Sequence, residues 1–223
     1  MIRNDDKKLC IISIFDSIPA QLNPQNRRFI FTQLDKELKF NRFENSFLWL
    51  KDATVAIPIY TVDQPKPPLI LSKSTNQFKL FMGDVGLLTS CYPDYVSKAL
   101  LDMNPDHETN NGALFENYIA QELSSCEITP YYFKSKGIGE IDFLIEYDNR
   151  IVPLEIKSGK EYKKHKALDN LLNSKEYSID RGYILSLSNI ETDDRCIYIP
   201  AYMTCLFSHR QPEDMIIDLD FLE

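Results

Sequence analysis

Apolar residues recur at helical spacing through the first fifty positions and at strand spacing in much of the remaining chain. Leu9, Ile12 and Phe15 mark one face of a helix over residues 5–17, and Pro19 is expected to end it, because proline removes a backbone donor and crowds the preceding turn. Residues 26–39 hold a weaker helical stretch. Phe43, Phe47 and Leu50, with Trp49 nearby, give a third over residues 42–51. The run Val55-Ala56-Ile57-Pro58-Ile59-Tyr60-Thr61-Val62 reads as a strand, with Pro58 pointing to a sheet edge. Helices followed by a strand hairpin is the layout of a small winged-helix domain over residues 1–63, a type that often sets one helix in the DNA major groove. A protein-packing module fits the same pattern.

Gln64-Pro65-Lys66-Pro67-Pro68 cannot continue a helix or a central strand and favours an extended spacer. A domain boundary is expected there. A linker and connector over residues 64–105 would come next, with a short strand at 79–82 and helices at 84–91 and 95–101 separated by Pro93. Beyond it the pattern alternates. A helix over 112–124 precedes strands at 131–134, 141–147 and 150–157, the last two joined by the tight turn Asp148-Asn149. A helix over 163–173 and a strand at 182–187 come after these, with a further strand at 196–199. The order αβββαβ predicts an α/β domain over residues 106–223, built on a mixed sheet flanked by helices.

The candidate chemistry lies in that domain. At 100° per residue Glu116 falls between Phe115, Ile119 and Leu123 on one side and Ala113 and Ala120 on the other, inside the apolar arc of its helix. A carboxylate there needs a proton, a cation or a metal. Alternation puts Asp142, Leu144 and Glu146 on one strand face, opposite Ile141, Phe143 and Ile145. In the next strand Ile151, Pro153, Glu155 and Lys157 share a face. Hard cations such as Mg²⁺ or Mn²⁺ take oxygen ligands from one or two carboxylates plus water and substrate phosphate. They activate water and stabilise charge on an attacked phosphate. Asp142 and Glu155 are the expected main ligands, Glu116 a third or outer one, and Lys157 the electrostatic catalyst.

The formal net charge of −8 argues against broad contact with nucleic acid, since non-specific affinity comes from neutralising phosphates. Contact with DNA would need a local patch, and Lys160, Lys163, Lys164 and Lys166 beside the proposed site offer one. Tyr131-Tyr132-Phe133 reads as a strand entering the core rather than a base-stacking platform. The five cysteines form no C-x-x-C pair, which speaks against a disulfide framework and structural zinc, and the three histidines are dispersed and receive no ligand role. No run of about 18 apolar residues and no secretory leader are seen, so a cytoplasmic location without a membrane span is expected. The serines lack a nucleophile-elbow context, which removes a serine hydrolase.

Four blocks together carry a family resemblance. They are residues 112–123 around Phe115-Glu116-Asn117, residues 132–136, Gly139-Glu140-Ile141-Asp142-Phe143-Leu144-Ile145-Glu146, and Pro153-Leu154-Glu155-Ile156-Lys157-Ser158-Gly159. Their order resembles the PD-(D/E)xK, restriction-endonuclease-like superfamily. More closely, they resemble the C-terminal region of a prokaryotic AAA-type ATPase family, as do residues 15–22 and 79–88. The resemblance implies a winged helix followed by a nuclease-like domain of unassigned function, placed after an ATPase module. The chain has no G-x-x-x-x-G-K-[ST] phosphate loop, so ATP would bind only in that module, which is expected to precede this chain. The implied partners are DNA, the ATPase module and further copies of the chain. Three readings are open: a metal-dependent nuclease, an inactive DNA- or protein-binding module, and an assembly element of the ATPase.

Overall fold

The structure, a computed structural model, describes residues 4–22, 29, 40–101 and 111–208. Its helices are α1 (Asn4–Gln21), α2 (Phe40–Asp52), α3 (Val85–Ser90), α4 (Asp94–Leu101), α5 (Asn111–Ser125) and α6 (Lys166–Leu172). Its strands are β1 (Ala56–Val62), β2 (Lys73–Met82), β3 (Tyr131–Ser135), β4 (Gly139–Tyr147), β5 (Arg150–Ile156), β6 (Gly182–Ser186), β7 (Glu191–Asp193) and β8 (Cys196–Pro200). The eight strands form one mixed sheet in the order β2-β1-β3-β4-β5-β6-β8-β7. Pairing is antiparallel within β1–β2, β3–β4, β4–β5 and β7–β8, and parallel for β1–β3, β5–β6 and β6–β8. From α5 onward the expected order αβββαβ is present, the further strand expected at 196–199 is β8, and β7 is an addition.

Three apolar layers hold the sheet. On one face α5 sets Ile119, Ala120 and Leu123 against Phe81, Tyr132, Phe143, Ile145, Leu154, Ile156 and Leu185. On the other, Leu168, Leu171 and Leu172 of α6 pack on Phe133, Ile141, Leu144, Ile151, Ile184 and Tyr198. At the β2 end, Ile14 and Ile18 of α1 and Phe47 and Leu50 of α2 cover Phe78, Leu80 and Met82. Alternation along β2 explains the split, because Phe81 points to α5 while its neighbours Leu80 and Met82 point to α1 and α2.

The hairpin β1–β2 is part of the main sheet, so the expected boundary at residue 64 falls between two paired strands. Thr61 and Val62 pair with Tyr132 and Phe133, and Phe81 meets Phe143 with ring centroids 5.9 Å apart. The proline stretch is not a free spacer either. Pro65 is buried, Leu69 is fully buried in the α6-side core, and the Leu69 N–H donates to Glu146 Oε1. Pro58 fits its expected edge character locally, since β1 pairs with β3 only from Thr61 onward. The helix expected over residues 26–39 lies largely outside the described residues, and among the described ones α1 and α2 pack on this hairpin.

Two expectations in α1 are corrected. Pro19 does not end the helix, which runs on to Gln21. A proline in the last turn disrupts little, because few hydrogen bonds lie beyond it. Leu9 and Ile12 are solvent-exposed, and Ile14 and Ile18 make the contacts instead. The Asp148-Asn149 turn is as expected, with φ of 51° and 59° at its two residues and Tyr147 paired to Arg150. Gly83 is required by close approach, since a Cβ there would stand 1.8 Å from the Thr54 carbonyl oxygen.

A fragment limited to residues 106–223 would expose the β3 edge and half of the Phe81–Phe143 contact. Circular dichroism and thermal melting should show a cooperative transition for the whole chain and none for the fragment.

Candidate active site

A break in strand regularity assembles the site. Phe133 pairs with Ile141 but Tyr131 pairs with Leu144, so β4 carries one extra residue across from Tyr132. As a result Ile141 and Leu144, three apart, both face α6, while Phe143 and Ile145 face α5. The strict alternation expected for residues 141–146 is therefore overturned at this bulge. Asp142 lies in it. Regular pairing of β4 with β5 ends at Phe143–Leu154, and beyond that the Ile156 N–H donates to Asp142 Oδ2 at 2.9 Å. The carboxylate continues the ladder where the backbones diverge. Gly139 opens β4 with φ of +110°, a conformation L side chains rarely adopt.

Asp142 and Glu155 are 6% and 7% exposed. Burial pushes the Asp142 carboxyl well above its usual range, and repulsion from Glu155 and Glu116 adds to it. Lys79 and the Ile156 N–H only partly offset these effects. Burial raises Glu155 as well, against the pull of Lys157 and His165. Lys157 Nζ lies 2.8 Å from Glu155 Oε1. Glu155 Oε2 is buried and has no hydrogen-bond partner among the described residues. Glu116 and Lys157 are partly exposed and form the open side of the cluster. The structure thus places Glu116, Asp142, Glu155 and Lys157 within electrostatic reach of one another.

Two charged members escaped the sequence reading. Lys79 of β2 is 3% exposed, with Nζ 3.3 Å from Glu116 Oε2 and 3.1 Å from Glu140 Oε1. Burial alone would lower its pKa, but Glu116, Asp142 and Glu140 together hold it above the usual lysine value. Glu140 also meets Lys134 Nζ at 2.7 Å. Burial tends to raise Glu140, yet Lys79 and Lys134 outweigh it and bring it down to about 2. Asn117, fully buried on α5, clamps the end of β2: the Met82 N–H donates to Oδ1 at 2.8 Å, and Nδ2 donates to the Met82 carbonyl at 3.1 Å. Gln121, one turn on, accepts from the Val85 N–H at 2.8 Å. The alternation of Lys79 with Leu80 and Met82 was a visible signal. Its carboxylate partners, 37 and 61 residues away, were not.

Lys160, Lys163, Lys164 and Lys166 are all exposed. Lys163 pairs with Glu191 at 2.5 Å and Lys164 with Glu161 at 2.8 Å, so part of the basic patch is met by acidic neighbours. Tyr131, Tyr132 and Phe133 are buried, as a core strand requires. His165 bonds through Nδ1 to Asp169 Oδ1 at 2.9 Å and through Nε2 to Tyr198 Oη at 2.8 Å. With Cys196 it offers donor atoms all within 4.8 Å of one another, a cluster the dispersed sequence positions concealed. Both ring nitrogens are already engaged, and burial pushes the Cys196 thiol up to about 11. The five cysteines are free thiols. No described helix is long and apolar enough to cross a membrane.

Residues 111–203 match a domain family described as a domain of unknown function, DUF4143. The match takes in Glu116, Asp142, Glu155 and Lys157 but leaves Lys79 outside. No curated protein and no solved structure matches the chain.

Glu140 and Asp142 should affect stability in opposite directions. Glu140 is held low, so its contribution is present above about pH 4.5 and is lost as pH falls towards 2. Glu140→Gln should cost ~3 kcal/mol at pH 7, by leaving Lys79 short of a partner. Urea unfolding should show the gap to wild type narrowing as pH falls from 4.5 to 2. Asp142 is held high, so its charged form is penalised in the metal-free fold at neutral pH. Asp142→Asn should therefore raise metal-free stability by about 1 kcal/mol, roughly 2–4 °C in Tm.

Proposed function

We propose that this cluster is a divalent-metal site for phosphodiester cleavage in nucleic acid, with DNA as the substrate. The observation that carries the reading is Glu155 Oε2, a buried carboxylate oxygen without a hydrogen-bond partner among the described residues, in a site where burial and the neighbouring Glu155 and Glu116 raise the proton affinity of Asp142. A buried polar atom left unmatched calls for a partner, and a bound ion is one of the groups that supply it. The donors are all hard oxygens, which suits Mg²⁺ or Mn²⁺. The αβββαβ order, the mixed sheet and the placement of Asp142 and Glu155 on adjacent strands support a restriction-endonuclease-like arrangement.

Asp142 and Glu155 would hold the metal, with Glu116 at the open side. A bound ion supplies an activated water and stabilises charge on the attacked phosphate. Lys157 anchors Glu155 and presents a partly exposed ammonium where phosphate charge would develop. Lys163 and Lys164 can exchange their surface carboxylate partners for backbone phosphates, because exposed ion pairs are weak. In the resembled ATPase family, ATP would act in a separate module.

A second reading rests on a different observation. Leu9, Ile12, Leu48 and Trp49 of α1 and α2 are exposed large apolar side chains. They favour a role in protein assembly, in which the carboxylate cluster need not turn over.

Calorimetric titration of Mn²⁺ should give binding to wild type and none to Asp142→Ala/Glu155→Ala. Affinity should weaken as pH falls, because both raised carboxyls must release protons to bind. Lys157→Met should keep metal binding and lower the DNA cleavage rate roughly 100-fold. A folded wild type that binds no Mn²⁺ would leave only the assembly reading.

A further inference from the structure

Lys79 comes from β2, outside the matched family region, and its ammonium is enclosed. Glu116 and Glu140 flank it at 3.3 and 3.1 Å, and the Tyr132 ring lies 5.3 Å from Nζ. Its backbone is fixed by pairing with Ile59 in the middle of the hairpin, and the adjacent Phe78 and Leu80 are buried in the α1–α2 layer. Alternation turns the Lys79 side chain to the opposite, α5 face of the sheet, where it is buried beside Glu116.

Resting on the metal-site reading above, we propose that Lys79 takes the place of a second metal ion, so that the site binds a single divalent cation. Two-metal phosphodiesterase sites place their ions about 3.5–4 Å apart and need carboxylate oxygens on the far side of each. Here the carboxylate on the far side, Glu116, is already held by a fixed ammonium. Charge balance leads to the same count. Glu116, Glu140, Asp142 and Glu155 meet Lys79, Lys134 and Lys157, leaving one negative charge unmatched among these residues. One divalent ion turns that deficit into a surplus of one positive charge, which an incoming phosphate neutralises. A second ion would leave a buried surplus that nothing in the cluster offsets. Lys79 is thus a positioning residue: it orients Glu116 and sets the metal count without touching the reacting atoms.

The test is Mn²⁺ binding to the full chain, read as stoichiometry and affinity. Wild type should take one ion, and Lys79→Arg, which keeps the charge, should also take one. Lys79→Met/Glu140→Gln removes a cation and an anion together, so the cluster keeps its net charge while Glu116 loses its ammonium. With Glu116 released towards the metal, it should bind the ion at least 10-fold tighter, whereas a merely structural role for Lys79 would leave the affinity unchanged. Two ions in wild type, both lost in Asp142→Ala, would overturn the single-ion inference and leave the metal site standing. A folded double variant with wild-type stoichiometry and affinity would overturn it equally. If the double variant does not fold, the wild-type count alone decides. Wild type that binds no ion would bring down the underlying metal reading, and this inference with it.

Discussion

Like charges brought together in a dry place repel, and the site is organised by how that repulsion is contained. Four carboxylates from α5, β4 and β5 converge at the end of the β4–β5 ladder, two of them almost without solvent contact. Lysines from three strands or strand ends answer them: Lys79 from β2, Lys134 from β3 and Lys157 just past β5. The matching is uneven. Glu140 is over-compensated and stays ionised, while Asp142 and Glu155 are under-compensated and hold protons more tightly than ordinary carboxyls. A protein gains no stability from that second arrangement. Its persistence is what a site kept ready for a cation would show.

Containment of the charges explains why the hairpin β1–β2 belongs to the same sheet as the strands that carry the carboxylates. Without β2 there is no Lys79, and Glu116 and Glu140 would face one another without a shared counter-ion. Asn117 bonds both backbone groups of Met82, fixing the end of β2 to α5 and so fixing Lys79, three residues earlier, relative to Glu116, one residue earlier on α5. Asp142 has a comparable double duty. By accepting the Ile156 N–H it continues the β4–β5 ladder beyond Phe143–Leu154, which pins the carboxylate through Oδ2.

Local features were legible in the sequence, and long-range ones were not. The Asp148-Asn149 turn, the helix around Glu116 and the strand carrying Glu155 and Lys157 arise from spacing within a few residues. The bulge did not, because Ile141, Phe143, Leu144 and Ile145 are all apolar and satisfy either face of a sheet that is covered on both sides. The packing face of α1 was ambiguous for a similar reason: Leu9, Cys10, Ile11, Ile12 and Ile14 offer several helical stripes, and tertiary contacts chose Ile14 and Ile18. The proline stretch read as a spacer because prolines do not pair. Burial of Pro65 and Leu69, which no periodicity encodes, makes it a packed connection. Lys79, Glu140 and the His165–Asp169–Cys196 group needed the sheet order itself before they could be seen as clusters.

If the under-compensated carboxylates form the cation site, a crystal of the full chain soaked with Mn²⁺ should reveal the ion by its anomalous scattering. One ion is expected between Asp142 and Glu155, with carboxylate oxygens at about 2.0–2.2 Å and Lys79 still bonded to Glu116. A well-ordered site without an ion there, or an ion held instead by His165, Asp169 and Cys196, would contradict the assignment.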